Sequence, residues 1–191
     1  MLYVPPISDY KPFYVQFPTG SAQDIQSTFS VTVKAHDYPS AYKAKEPYKN
    51  QWKDEHGDDE YIPTTGLLIE AFTFKMKCVM FAKASTEEAA IEDLNEGIRA
   101  FRSAMSGGFL KTYDAYTGFG FQMVRLVEFQ QPGQDDYDVF YERFTSPHSS
   151  VNNFGVARVI FDVTLKVNDP VTHMVLDTDS SSSTYNKIVE G

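Results

Sequence analysis

Asn153-Phe154-Gly155-Val156-Ala157-Arg158-Val159-Ile160-Phe161-Asp162-Val163-Thr164-Leu165-Lys166-Val167 is the stretch that decides the fold class. Ala157, Val159, Phe161, Val163, Leu165 and Val167 fall on one face, and Arg158, Asp162, Thr164 and Lys166 on the other. Successive strand side chains point to opposite sides, so a period of two with one apolar face predicts a long half-buried β-strand. Asn168-Asp169-Pro170 closes it, since proline has no ladder donor. A second strand of the same kind starts at Leu67. Leu68, Phe72, Phe74, Met76, Cys78 and Met80 share its even face, with Glu70 the exception, while Lys75 and Lys77 lie opposite.

Between the two lies one helix, expected over 85–106. Ser85-Thr86-Glu87-Glu88 has capping-box form, with Ser85 accepting from the third helical amide and Glu88 reaching back. Ile91, Leu94, Ile98, Phe101 and Met105 make one apolar stripe, and Gly107-Gly108 supplies a left-handed residue to end the helix. Shorter strands are expected over Phe109–Tyr116, around Phe119, Phe121, Met123, Val127 and Phe129, and at Tyr137, Val139 and Tyr141, with turns at Tyr116-Thr117-Gly118 and across 131–136. Upstream, Phe29, Val31, Val33 and Ala35 alternate with Thr28, Ser30, Thr32 and Lys34, which predicts another strand.

The remaining segments show no period. Residues 1–26 read as an irregular or short-stranded N-terminal arm, 37–66 as a long loop punctuated by Pro39, Pro47, Gly57 and Pro63, and 171–191, with Ser180 to Ser183 in a row, as a polar flexible tail. The expected organisation is therefore one β-rich domain over 27–170 with a terminal arm and tail. Its class is α+β, most simply an antiparallel β-sandwich or half-barrel with one flanking helix.

Composition narrows the function more by exclusion than by assignment. The 191 residues suffice for a core without disulfides or metal. An excess of 26 acidic over 17 basic residues, −9 at pH 7, has the wrong sign for gripping nucleic acid or an anionic membrane. The N-terminus lacks the basic and apolar regions of a signal peptide, and no apolar run reaches the ~18 residues of a membrane-spanning helix. Cys78 is the only cysteine, which excludes an intrachain disulfide and multi-cysteine zinc.

No motif carries catalysis. Gly118-Phe119-Gly120 opens like a dinucleotide fingerprint, but Met123 stands where the third glycine belongs and no helix follows. His36, His56, His148 and His173 are scattered, and Cys78 sits among Met and Phe in a packing context. The run Asp54-Glu55-His56-Gly57-Asp58-Asp59-Glu60 offers oxygen ligands but lacks EF-hand spacing, so an exposed acidic loop is the expectation. Lys43, Lys45, Lys49 and Lys53 precede it, and the two charge blocks suit pairing within the chain or between copies. Tyr38, Tyr42, Tyr48, Trp52 and Tyr61 make the same loop aromatic, as interface anchors or as clips holding it to its own domain. No catalytic, cofactor-binding or metal-ligating residue is expected.

The element order resembles the structural proteins of long-tailed phages and prophages, the tail-tube-like family that includes distal tail proteins. The likeness spans roughly 29–167. It rests on the 37–66 loop, the 85–106 helix and their flanking strands, with Trp52 to Pro63 and Lys111 to Gly120 similar in local character. The resemblance implies a β-sandwich or half-barrel beside one helix, self-assembly into homo-oligomeric rings that stack into a channel, contacts with other tail proteins, manufacture in the bacterial cytoplasm and residence in the virion tail. A channel wall that repels phosphate lets DNA slide, which the −9 charge fits. The alternative reading is a soluble β-sandwich module that recognises a carbohydrate or protein through the aromatic loop 37–66.

Overall fold

A computed structural model of the chain describes residues 1–4, 9–50, 59–61, 68–133, 137–144 and 152–191. In chain order the elements are β1 (Leu2–Tyr3), β2 (Phe13–Gln16), β3 (Ala22–Asp24), α1 (Ile25–Phe29), β4 (Val31–His36), β5 (Tyr48–Asn50), β6 (Asp59–Tyr61), β7 (Phe72–Ala84), α2 (Glu87–Met105), β8 (Leu110–Asp114), β9 (Gly120–Phe129), β10 (Tyr137–Phe144), β11 (Asn152–Asp169), β12 (Met174–Leu176) and β13 (Ile188–Glu190). The fold is the expected α+β class: a curled antiparallel sheet of half-barrel form with one main helix.

The sheet is organised by its two longest strands, β7 and β11, which pair antiparallel from Phe72↔Val167 to Ala84↔Gly155. From them the order runs β1-β7-β11-β9-β8-β2-β3, with β4 added to β7 and β10 to β11. The alternation read from sequence holds where it was sharpest. Phe74, Met76, Cys78 and Met80 of β7 and Ala157, Val159, Phe161, Val163, Leu165 and Val167 of β11 are all buried. Helix α2 lies on that face through Leu94, Ile98, Phe101 and Met105, each worth ~1.5–3 kcal/mol in burial. Phe101 sits 6.3 Å from Phe161, 6.2 Å from Phe129 and 5.5 Å from Phe29, ring centre to ring centre. The helix approaches closely at Gly97, where an added Cβ would lie 2.7 Å from both Met80 Sδ and Leu2 Cδ1.

Several boundaries differ from the sequence reading. Thr86, not Ser85, caps α2, its hydroxyl accepting from the Ala89 amide at 3.2 Å. The first β7 position is Phe72; Leu68, placed by alternation on the dry face, is 54 % exposed, and Ile69 forms only a single bridge with Ala44. Phe29 ends a short helix instead of opening a strand. Asp24 caps α1 by accepting from the Gln26 and Ser27 amides, Ser30 stops it in the left-handed region at φ 57°, and β4 starts one residue later. In β9 the alternation breaks at Met123, whose φ of 51° accompanies a register shift against β8 and turns its side chain outward.

The three unpatterned segments also carry structure. The N-terminal arm supplies β1, β2 and β3 to the main sheet. Part of the 37–66 loop is a hairpin, β5 with β6, in register Tyr48↔Tyr61 to Asn50↔Asp59. The polar tail is a correction too. Met174-Val175-Leu176 pairs with Ile188-Val189-Glu190, and Met174 and Ile188 bury with Ala22 in a small second core beside Tyr14 and Tyr113. The serines between them form a turn held by Asp177 and Asp179: Thr184 donates to Asp177 at 2.6 Å and Ser181 to Asp179 at 2.7 Å. Polarity there satisfies a turn instead of solvating a free chain.

Candidate functional site

Two features stand out once the fold is laid down, a buried polar cluster and the borders of the sheet. The cluster is centred on Asp114, the last residue of β8, which is 2 % exposed. A buried carboxylate needs donors on its oxygens. Asp114 receives the Tyr116 amide at 2.9 Å and the Thr117 hydroxyl at 2.7 Å, so it shapes the β8–β9 turn. It also receives His36 Nε2 at 3.0 Å from the end of β4. That bond ties the free border of β4 to the turn at the far side of the curled sheet, and leaves His36 Nδ1 buried without a partner. The imidazole is packed between Tyr38 and Tyr116, ring centres 4.9 and 6.1 Å away. Burial, then the Asp114 charge, pushes the Tyr38 phenol well above its ordinary range, so it stays neutral. His36 and Asp114 form one wall of a 410 Å³ cavity between β4 and the segment before β2, lined also by Asp9, Tyr10 and Lys34. Chemically the cluster is a clasp, with the Thr117 hydroxyl donating to Asp114.

The borders of the sheet are the second feature. Among the described residues β10 pairs with β11 alone, over all eight positions from Tyr137↔Val159 to Phe144↔Asn152, and its other edge meets no described strand. On the opposite side, among the described residues β4 pairs with β7 alone. Each such border directs alternate backbone N–H and C=O groups outward, a template for another strand. Edges are usually blunted by proline, lysine, bulges or shortness. Tyr137-Asp138-Val139-Phe140-Tyr141-Glu142-Arg143-Phe144 has neither proline nor lysine and pairs without a register shift.

The residues singled out from sequence scatter across this frame. Cys78 is wholly buried on the face under α2, and burial pushes its thiol far above its usual value, which suits packing. His36 joins the clasp; His173 lies at the start of the C-terminal hairpin, its carbonyl accepting from Gly191 at 3.0 Å; His56 and His148 lie outside the described residues. So do Trp52, Lys53 and Asp54 to Asp58, while Asp59 and Glu60 are described only as backbone of β6. Of the loop aromatics, Tyr38 is a clip, its ring centre 4.7 Å from Phe74 and 5.5 Å from Phe119. Tyr42 leans on Phe72 at 5.4 Å yet remains 46 % exposed. The His36–Asp114 contact had no sequence signal, since nothing in local spacing links residues so far apart in the chain.

Among the described residues no group of three or more His, Cys, Asp or Glu side chains is placed to share a metal ion, and no helix is long and apolar enough to cross a membrane. No family model matches the chain, and no curated protein matches it either.

Proposed function

We propose that the chain is a non-enzymatic structural protein of a phage or prophage tail, assembling into homo-oligomeric rings within the tail tube or at its distal end. The observation that carries this reading is the open border of β10. A regular eight-residue edge with high strand propensity, free of proline, lysine and bulges though it carries Asp138, Glu142 and Arg143, is a liability in a protein that works alone, and a joint in one that works as an assembly. Roughly four of its residues direct both backbone groups outward. Each hydrogen bond they form across copies adds ~0.5–1.5 kcal/mol net. The other border is that of β4, beyond β7; Lys34, the register shift between Val33 and Ala35 and the His36–Asp114 bond leave Val31 to Val33 as its stretch for pairing with another copy. Joining one border to the other uses different patches of the same chain, so the contact is head-to-tail and closes into a ring when the rotation permits.

The tail-like order of elements, with a half-barrel sheet, one flanking helix and an early hairpin-bearing loop, supports the same assignment. The partners are then further copies and other tail proteins, and the place of action is the virion. A net charge of −9 fits a wall that does not hold DNA. Electron microscopy at high protein concentration, alone and with the tail proteins encoded beside it, tests the reading. Rings, tubes or incorporation are expected; none in either setting refutes it. The second reading, a binding module for a carbohydrate or protein, is favoured by one observation: exposed Tyr42 stands at a 520 Å³ cavity with Pro39, Ala41 and Lys43. It predicts a persistent monomer whose ligand binding is lost in Tyr42→Ala.

A further inference from the structure

Helix α2 carries Glu88, Glu92 and Glu96 at successive four-residue intervals, all exposed. They line a shallow 330 Å³ cleft with Ile91, Asn95 and Arg99. Like charges four apart on a helix repel and destabilise it, and none of the three glutamates makes an ion pair with another described residue. The opposite frustration exists on the other face of the sheet. There Lys166 of β11 stands directly across from Arg125 of β9, a cross-strand like-charge pair that also destabilises. Both border the 520 Å³ cavity whose wall includes Lys43, and none of these three cations is in an ion pair with a described residue. Exposed Tyr42 and Val127 line the same cavity. Glu70 is the acidic group in that wall, Glu128 lies across from neighbouring Thr164, and Asp162 is engaged by Lys75 at 3.6 Å.

The two patches cannot meet within one chain. The glutamates ride on the first turns of the helix that covers the Met80 and Phe161 face, whereas Lys166 lies on the reverse face of β11 and Arg125 lies near the far end of that helix, beside Arg102 and Ser106. They are also separated along the strands. Gly97 lies over Met80, so the stripe sits at that level of β7 and beyond, towards its Ala84 end. Lys166 pairs with Thr73, about 23 Å from Met80 at the rise of a strand. The acidic stripe spans about 12 Å from Glu88 to Glu96, and the cavity offers it three cations flanked by two apolar side chains.

We infer that a second copy of this chain fills the cavity, the Glu88–Glu92–Glu96 stripe of one copy seating on Lys43, Arg125 and Lys166 of the next. The contact relieves both repulsions at once. Because the patches lie at opposite ends of the strands, it joins copies end to end, whereas the β10 and β4 borders join them side by side. This deepens the ring reading, and rests on it, by assigning the contact that stacks one ring on another.

The test uses the full chain with two charge-reversed variants, one carrying Glu88→Lys, Glu92→Lys and Glu96→Lys, the other Lys43→Glu, Arg125→Glu and Lys166→Glu. Thermal melts establish that each folds, and a glutamine version of each set serves in place of a variant that does not. Stacked species are followed by light scattering and electron microscopy. Each variant alone is expected to need a concentration higher by at least about tenfold to stack. An equal mixture of the two, each assembled into rings before mixing, is expected to stack like the parent, since each reversed patch then finds its complement on a ring of the other variant. Stacks of the parent should shorten when salt rises about tenfold, as screening requires. Rings that stack equally well in both variants, or a mixture that fails to restore stacking, overturn the inference and leave the ring reading standing. End-to-end species without rings refute the ring reading and keep this contact. A basic-patch variant that loses retention of duplex DNA while stacking normally assigns the cavity to nucleic acid and overturns the inference.

Discussion

Gly120→Ala should cost far more stability than a buried glycine-to-alanine change usually does. Gly120 opens β9, and a Cβ built there overlaps the Met174 carbonyl oxygen and lies 2.7 Å from its carbon and 3.0 Å from its Cβ. The obstruction is mainly backbone, so it does not yield as a flexible side chain would. The chain then has two routes. It can bear the overlap, at ~1–3 kcal/mol for an overpacked site. Or it can lift the β12–β13 hairpin and expose Met174 and Ile188, both buried, at ~1.5–3 kcal/mol each. Both routes meet near ~3 kcal/mol, which for a chain of this size lowers Tm by about 6–12 °C. Differential scanning calorimetry reads the shift, with Ser103→Ala on the exposed side of α2 as a control expected within ~0.5 kcal/mol of the parent. Hydrogen exchange should quicken at the Val175 and Val189 positions of the hairpin in the variant. A Tm change below about 2 °C, with hairpin exchange unaltered, would refute the claim that the C-terminal segment is docked on β9.

Asp114→Ala removes the acceptor for Tyr116, Thr117 and His36, and should destabilise by ~2–3 kcal/mol in chemical denaturation; an unchanged midpoint would show that the clasp holds nothing. Native Cys78 should resist thiol reagents until the protein unfolds, and Cys78→Ala should cost ~1–2 kcal/mol, whereas rapid labelling of the folded chain would contradict its burial. Asp169 sets a pH dependence. Burial pushes its carboxyl up, but donors from Gln122, Thr172 and Val171 outweigh this and leave it below the ordinary range. A depressed folded value means stability that is present above the unfolded value near 3.9 and lost as pH falls through the folded one. Asp169→Asn should therefore flatten the acid limb of the stability curve below about pH 4 and leave its slope near neutrality unchanged; a curve parallel to the parent's at every pH would count against it.

Long periodic elements were legible in the sequence because burial enforces the period. β7, β11 and α2 each repeat their pattern enough times that one dry face is the only consistent reading. Short elements were not. α1 is five residues long and its Phe29 fits a period of two by coincidence, so the better signal was Asp24, whose carboxylate caps the helix. The C-terminal hairpin has three residues per strand, too few to show a period, and its serines and aspartates look like a linker until the turn they bond is seen. Of the surfaces that matter for function, the glutamate stripe follows directly from helical spacing. The clasp and the Arg125–Lys166 juxtaposition do not, because each depends on register between segments distant in the chain.

Hydrogen exchange across residues 137–144, measured together with mass by light scattering as concentration is raised, decides whether β10 is a joint between copies. β10 is joined to β11 along one edge only among the described residues, so in dilute solution its outward amides should exchange readily while those bonded to β11 are protected. Assembly through strand borders predicts that the outward set becomes protected over the same concentration range in which mass rises to a closed multiple of the chain. A rise in mass that leaves those amides unprotected, or a mass that stays at one chain with and without neighbouring tail proteins, would contradict it.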